Sequence, residues 1–340
     1  MSAGLADTSL AEGLARFLAE LWDAPTQVEL VGESSAGARR RQVLFDATVA
    51  GGERRPLVAT IAHQPELENR SLAGEAESVL LGESAGVPVP HIWGYTSDER
   101  YAGGPFFVGT RVDGESVPRK VLRAIPSPRA GEDLARQCGS ALARLHQLPV
   151  DRIHTDMLRP LDENPAETAI ELLDEVVATE LLQPVPVYHL ARRWLVSNQP
   201  STPHPHRICH GDFRNGNLIV DGGHLAAVLD WEACHNGDPF QDVAWFCVRS
   251  WRFGNDDRTA GGFGSLESYR DGYEAAGGEW DDERFAWWQV FGTVYWAVGL
   301  GRQGAGHVRG EVRNIVMCAS GRRVPELEYD VLEALRPHLA

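Results

Sequence analysis

Several features that would assign this chain to a broad class are missing from it. Its five cysteines, Cys138, Cys209, Cys234, Cys247 and Cys318, are odd in number and form no C-x-x-C pair. That argues against a disulfide framework and against a zinc site, and makes reduced thiols and a cytoplasmic location the expectation. Positive charge is short as well: 32 basic residues face 48 acidic ones, a formal net charge of −16. Such a surface repels phosphate backbones and anionic membranes but draws in cations. Nucleic acid and membrane are therefore not expected partners, whereas a cationic small molecule is admissible. The one tempting apolar run, "FAWWQVFGTVYWAVGLG" between Arg284 and Arg302, contains Gln289, Thr293 and three glycines. It falls short of the roughly 20 apolar residues that a membrane span needs, so it reads as a buried helix. The N-terminus has no basic stretch followed by an apolar one, and no secretory leader is expected.

What is present suits a folded enzyme. The 340 residues are 43% hydrophobic and 24% charged, a balance typical of globular proteins and a length that suggests two lobes. Leu14, Phe17, Leu18, Leu21 and Trp22 recur at helical spacing and predict a helix from about Leu5 to Trp22. Three β-like runs follow, Gln27 to Val31, Arg41 to Val49 and Leu57 to Ile61, separated by glycine-rich turns; they predict an antiparallel meander. Leu72, Ala76, Val79 and Leu80 mark a second helix that stops before "GVPVPHI", and "PFFVGTRVDGES" reads as a strand running into a loop. Helical periodicity then takes over, through Leu134 to Leu148 and Ile170 to Leu182. The expected organisation is a small sheet-rich lobe over residues 1–108, a hinge at 109–116, and a larger, mainly helical lobe over 117–340.

The chemistry concentrates in "HGDFRNGNLIV", His210 to Val220, and in "AAVLDWE" just after it. Phosphoryl transfer needs a carboxylate to accept the proton of the attacking hydroxyl and oxygen ligands to hold Mg²⁺ on the phosphates. Asp212 suits the base. Asn217 and Asp230 offer a neutral and an anionic oxygen, both suited to a hard cation. A turn at Asp221-Gly222-Gly223 would pair "NLIV" with "AAVLD" as a hairpin and bring these two ligands together. His210 is expected to brace the loop rather than act as an acid or ligand, since Asp212 already fills the base role.

The combination "HGDFRNGNLIV…VLDWE…GDPFQDVAW" resembles the aminoglycoside phosphotransferase and choline kinase superfamily, in particular the branch related to the kinase-like domain joined to acyl-CoA dehydrogenases. "GEAESVLLGESAGVPVP" resembles that family's αC helix, "FFVGTRVDGES" its hinge and "LARLH" the helix before its catalytic segment, so nearly the whole chain is covered. The resemblance implies a protein-kinase-like α+β fold. It also implies transfer of the γ-phosphoryl of ATP, or of GTP, with Mg²⁺, to a hydroxyl of an aminoglycoside-like, hydroxyacyl or other metabolite acceptor. Ser34, Ser35 and Gly37 would then contact phosphates, Glu75 would be the αC glutamate, Thr110 and Val112 would present backbone groups to the base of the nucleotide, and Asp242 would accept backbone N–H groups of the catalytic loop. One departure stands out. Where relatives carry a Lys or Arg on the third strand, "PLVATIAHQ" has Ala59 and Thr60. Arg41, with Arg39 and Arg40 as neighbours, is the expected substitute and the expected partner of Glu75. Acceptor contacts are expected among Asp256, Asp257, Tyr269, Trp287, Trp288 and Tyr295. The rival reading is a pseudokinase that binds nucleotide without turnover.

Overall fold

Alternation of apolar and polar residues in the first third of the chain builds a sheet with one face sealed by a helix. The computed structural model describes residues 2–34, 40–62, 71–154, 156–161, 164–183, 185–200, 206–311 and 314–338. Strands β1 (Thr26–Ser34), β2 (Arg40–Val49), β3 (Arg54–Ala62), β4 (Ile92–Thr96) and β5 (Phe106–Thr110) form an antiparallel sheet in the order β1-β2-β3-β5-β4. Helix α1 (Ser2–Trp22) lays Leu10, Leu14, Phe17 and Leu18 on Val43, Phe45, Ala47, Leu57, Ala59 and Ile61. These are alternate residues of adjacent strands, as a period of two requires.

The same parity turns Arg40, Gln42 and Leu44 of β2 to the other face, beside Thr60 and Ala62 of β3. That face looks toward α2 (Leu72–Ser84), whose Leu72, Ala76 and Val79 share a buried cluster with Ala62. Helix α2 starts where Ser71 accepts a hydrogen bond from the Gly74 N–H at 3.0 Å, a side-chain N-cap that satisfies one of the otherwise unpaired N–H groups of the first turn. A short helix α3 (Glu99–Ala102) links β4 to β5.

Beyond β5 the chain crosses into the helical body by pairing with it. Glu115 and Val220 exchange both backbone hydrogen bonds at 3.0 Å. Helices α4 (Pro118–Ala124), α5 (Pro128–His146), α6 (Pro165–Thr179) and α7 (Pro186–Ser197) follow. Next come β6 (Arg207–Cys209), the hairpin β7 (Leu218–Asp221) and β8 (His224–Val228), and β9 (His235–Gly237), which pairs with β6. Helices α8 (Phe240–Trp245), α9 (Leu266–Ala275), α10 (Asp282–Arg309), α11 (Ile315–Gly321) and α12 (Val324–Leu335) complete the body. The apolar run from Phe285 to Gly301 is the interior of α10, with Trp287 and Trp288 buried; among the described residues no helix is long and apolar enough to cross a membrane. The four body cysteines Cys138, Cys209, Cys234 and Cys247 are buried, and neither they nor Cys318 form a disulfide.

One close approach joins the two layers. A methyl group on Gly82 of α2 would lie 2.5 Å from Cη2 of Trp231, so only glycine lets that indole seat against the helix. We expect Gly82→Ala to destabilise the protein by about 1–3 kcal/mol through overpacking. By contrast Gly299→Ala, half-buried in α10 with no atom of another residue nearer than 3.6 Å to the added methyl, should stabilise by about 0.5–1 kcal/mol through helix propensity. Urea unfolding of the two variants would show midpoints moving in opposite directions.

Candidate active site

A buried carboxylate sets the geometry of the loop between β6 and β7. Asp242, in the first turn of α8, accepts the His210 N–H at 2.6 Å and the Gly211 N–H at 2.8 Å, while Nε2 of His146 on α5 lies 3.3 Å from it. Burial alone would raise this carboxyl. The hydrogen bonds from the His146 ring and the Gly211 N–H outweigh that and hold it below the usual carboxylate range. The O–H of Tyr273 on α9 donates to Nδ1 of His146 at 2.9 Å, which ties the brace to two helices. Gly211 takes φ +85°, and a side chain there would collide with the Ala233 carbonyl 2.2 Å away. His146, Cys209 and Asp242 lie close enough to suggest a metal trio, but burial raises the Cys209 thiol and both Asp242 oxygens serve backbone N–H groups. These residues form a structural brace.

His210 passes the order of the brace to the reacting residues. Its Nε2–H donates to the Leu229 carbonyl at 3.0 Å, and its Nδ1 accepts the Asp212 N–H at 3.2 Å. Burial lowers the imidazole pKa, consistent with this neutral tautomer. The Asp212 side chain receives Trp245 Nε1–H at 2.8 Å, Asn217 Nδ2–H at 2.8 Å and Arg214 Nε–H at 3.0 Å. The Arg214 guanidinium in turn sits over the Trp251 ring, 4.6 Å from its centroid. Asn215 anchors the loop from below through the Gly261 carbonyl at 2.7 Å.

The hairpin does what the turn sequence suggests. Gly222 and Gly223 take φ +55° and +86°, the positive angles of a tight two-residue connection, and Leu218 pairs with Val228. The Leu229 N–H then bonds the Asn217 carbonyl at 2.8 Å, so Asp230 emerges beside Asn217. Asp230 adopts a left-handed backbone, φ 64° and ψ 64°, a conformation that costs a non-glycine residue and that recurs at functional sites. Its carboxyl is pushed up to about 6, first by the protein packed round it and then by Glu232 and Asp212, against the pull of Arg214 and Arg40. The side chain nevertheless opens to solvent, which damps the effect. Two carboxylates that resist sharing negative charge, Asp230 and Glu232, near the neutral amide oxygen of Asn217, fit a hard divalent cation such as Mg²⁺.

The partner of Glu75 is not the residue the sequence pattern suggests. Arg41 lies on the face of β2 that α1 covers, and at the sheet margin it pairs with Glu33 of β1. Glu75 of α2, itself buried, is paired with Arg40, whose Nη2 also lies 3.5 Å from Glu232. Arg40 and Arg41 differ by one position, so strand parity alone corrects the assignment. Ser35, Gly37 and Arg39 lie outside the described residues; Ser34 closes β1 opposite Gln42. In the hinge, the Thr110 N–H is taken by the His91 carbonyl at 2.9 Å and its hydroxyl accepts from Trp93 Nε1–H at 3.1 Å, so its N–H is not offered to a nucleotide base. Val112 follows β5 and is half-buried.

Three of the expected acceptor contacts are core residues: Tyr269, Trp287 and Trp288 are at most 1% exposed. Asp256 is held by Arg249 at 2.7 Å and Asp257 is exposed. Tyr295 does approach the site, stacking edge-on against Trp245, which also packs on Trp251 and Trp296. Reading the sequence missed Arg214, Trp245 and Glu232, each of which touches or neighbours a proposed reacting residue. The signals were Arg214 two residues past Asp212, Trp245 one turn of helix past Asp242, and Glu232 two residues past Asp230.

A small antiparallel sheet joined by one helix and one hinge to a helical body, with acid, amide and acid on a braced loop and hairpin between them, is the architecture of a protein-kinase-like phosphotransferase. The chain belongs to the phosphotransferase enzyme family, whose model matches residues 33–288. Curated relatives include acyl-CoA dehydrogenase family member 10 of Mus musculus, 28% identical over 167 residues, and member 11 of Homo sapiens, 26% identical over 167 residues. Each match takes in 48% of this chain but only 15% and 21%, respectively, of the relative's length. Among solved structures, a Ralstonia eutropha JMP134 protein provisionally assigned as an aminoglycoside phosphotransferase superposes with TM-score 0.74 at 21% identity, covering 96% of this chain and 98% of that one. Macrolide 2'-phosphotransferase of Brachybacterium faecium gives 0.61 at 15% identity, covering 92% and 97%. The GDP complex of aminoglycoside 2'-phosphotransferase-IIIa gives 0.59 at 17% identity, covering 90% and 93%.

Two outcomes test the site as a piece of architecture. Asp242→Ala would strand two buried N–H groups at about 1–3 kcal/mol each, so we expect a loss of roughly 3 kcal/mol or more in chemical unfolding. For Asp230 the folded carboxyl binds its proton more tightly than the unfolded one, whose pKa is about 3.9. Its contribution is therefore neutral near pH 4, turns unfavourable as pH rises toward about 6, and stays so above. In EDTA, Asp230→Asn should melt at a higher temperature than the parent protein at pH 7.5, and the gap should close toward pH 4.

Proposed function

We propose that the protein transfers the γ-phosphoryl group of a nucleoside triphosphate to a hydroxyl of a small molecule. The observation that carries this reading is the Asp212 carboxylate, fixed by Trp245, Asn217 and Arg214 on a loop that Asp242 locks from below. A carboxylate so held acts by position. The acceptor hydroxyl oxygen attacks the γ-phosphorus, its proton passes to Asp212, and the bond to the β–γ bridging oxygen breaks to release the diphosphate. Asn217 and Asp230, with Glu232 behind them, would hold Mg²⁺, which supplies charge neutralisation on the phosphates when bound. ATP is the donor the reading favours, with GTP as the other candidate. Both have counterparts among fold neighbours, one a complex with GDP and another a ternary complex with AMP-PNP and hygromycin B.

The surroundings of Asp212 bear on the acceptor. Trp245, Trp251, Trp296 and Tyr295 form an aromatic group beside it, and the acidic Asp256 and Asp330 are both engaged by Arg249. Trp245 and Trp251 are buried and support the Asp212 loop from within, and only Tyr295 of this group is well exposed, an aromatic face that an acceptor can meet. Hydroxyacyl metabolites and aminoglycoside-like alcohols therefore enter the acceptor screen together.

A base acts on the hydroxyl and not on the nucleotide, so the two can be separated. We expect Asp212→Asn to lower kcat by at least about 100-fold with the best acceptor, while the affinity for Mg²⁺–AMP-PNP measured by calorimetry stays within about threefold. Asp230→Ala should abolish the Mg²⁺-dependent part of that affinity, and Asn217→Ala should weaken it less, because the anionic ligand matters more to a hard cation. Wild-type turnover in the Asp212 variant would sink the assignment. Tight nucleotide binding with no transfer to any alcohol would favour the pseudokinase.

A further inference from the structure

At the α2 end of β3 the face opposite α1 is occupied by Thr60 and Ala62 and offers no cation; Arg54, on the same face at the far end of the strand, is paired with Asp46, and Lys120 on α4 is the only lysine of the chain. A nucleoside triphosphate of charge near −4 entering a cleft lined by Glu75, Asp212, Asp230 and Glu232 needs a protein cation besides the metal. Arg40 opens β2 directly opposite Ala62, and strand parity points it away from α1 and into the cleft. Its guanidinium is ion-paired with Glu75 in the first turn of α2 and reaches to 3.5 Å from Glu232, two residues past Asp230. Thus one side chain spans from the sheet to the helix beside it and to the proposed metal-holding loop of the other lobe. We propose that Arg40, supplied by the second strand, is the residue that anchors the phosphates of the donor nucleotide, with Glu75 orienting it.

The geometry explains why a residue from the neighbouring strand serves. Directly opposed residues of an antiparallel pair lie about 5 Å apart, and the small side chain of Ala62 leaves the space across which Arg40 extends. A guanidinium has five N–H donors in a fixed fork, more than one carboxylate accepts, and it keeps its charge among acids. Arg41, one position on, is turned to the wrong face and serves as the internal control.

This inference rests on the proposed phosphoryl transfer, and the test separates the two. The probe is Mg²⁺–AMP-PNP, titrated calorimetrically into the full chain. Arg40→Ala should weaken binding at least about tenfold, equivalent to about 1.4 kcal/mol, whereas Arg41→Ala should leave it unchanged. Adding Ala62→Lys to Arg40→Ala returns a cation to the third strand and should recover a substantial part of the loss. Should Arg40→Ala fail to fold because Glu75 is left unpaired, the double variant Arg40→Gln/Glu75→Gln removes both charges together and should show the same loss of affinity. Wild-type affinity in either Arg40 variant, with Asp230→Ala still defective, would overturn the role of Arg40 and leave the transferase reading standing. If the unmodified protein binds no nucleotide with or without Mg²⁺, both fall.

Discussion

A carboxylate with almost no contact with water is the constraint from which the site follows. Asp242 is 1% exposed, and a buried charge persists only where hydrogen-bond donors surround it. Its donors are the backbone N–H groups of His210 and Gly211 and the His146 ring. Satisfying Asp242 therefore fixes the loop backbone at one point, and His210 extends that fix in two directions. Through Nδ1 it holds the Asp212 N–H; through Nε2 it holds the Leu229 carbonyl at the end of the hairpin. The proposed base and the proposed metal ligand Asp230 are positioned by one imidazole, which is itself positioned by one carboxylate. The geometry of the proposed site is a consequence of satisfying buried polar groups.

The two layers meet through residues adjacent to the site. Trp231, next to Asp230, fills the space left by Gly82 on α2 and packs on His210 at a ring separation of 4.7 Å. Arg40 ties β2 to Glu75 on α2 and approaches Glu232 on the other flank of Trp231. Glu115 of the hinge pairs with Val220 at the outer end of β7. A displacement of α2 cannot therefore leave the Asp230 segment undisturbed, because an indole and an ion pair both cross the boundary there. Coupling of this kind requires contiguous packing, and these contacts supply it.

Much of this was legible in the sequence, for physical reasons that differ from element to element. The three-stranded meander and α1 were readable because alternation and helical period are local properties of residues such as Val43, Phe45 and Ala47 or Leu14, Phe17 and Leu18. The hairpin followed from Gly222-Gly223, since few residues tolerate those angles, and the brace from Asp242 followed from the resemblance to kinases. Sidedness was harder. Whether the even or odd residues of β2 face the cleft depends on which face α1 covers, a tertiary fact, and so Arg41 was expected as the partner of Glu75 where the structure has Arg40. Tyr269, Trp287 and Trp288 looked like candidates to line a pocket because large aromatics serve both binding and core. Only burial distinguishes the two, and it assigns these three to the core.

The charges of the cleft give the final constraint on chemistry. Glu75, Asp212, Asp230 and Glu232 contribute four negative charges when ionised and Arg40 and Arg214 two positive ones, so the local balance is 2 − 4 = −2. Left as it is, such a cleft repels a triphosphate; one divalent cation brings it to neutrality and a second makes it attractive. Donor binding on the proposed reading is thus conditional on the metal, with the arginines directing the phosphates rather than supplying net attraction. Arginine suits that task where lysine would not. A guanidinium among four carboxylates keeps its proton and presents parallel donors, whereas an ammonium offers a point charge without the planar fork that fixes orientation. In a chain whose single lysine lies on α4, far along the sequence from β2 and β3, the proposed shift of the anchor from the third strand to the second follows the same logic: the cation would keep its place between Glu75 and the proposed metal-holding loop, and any strand that can deliver it there satisfies the chemistry.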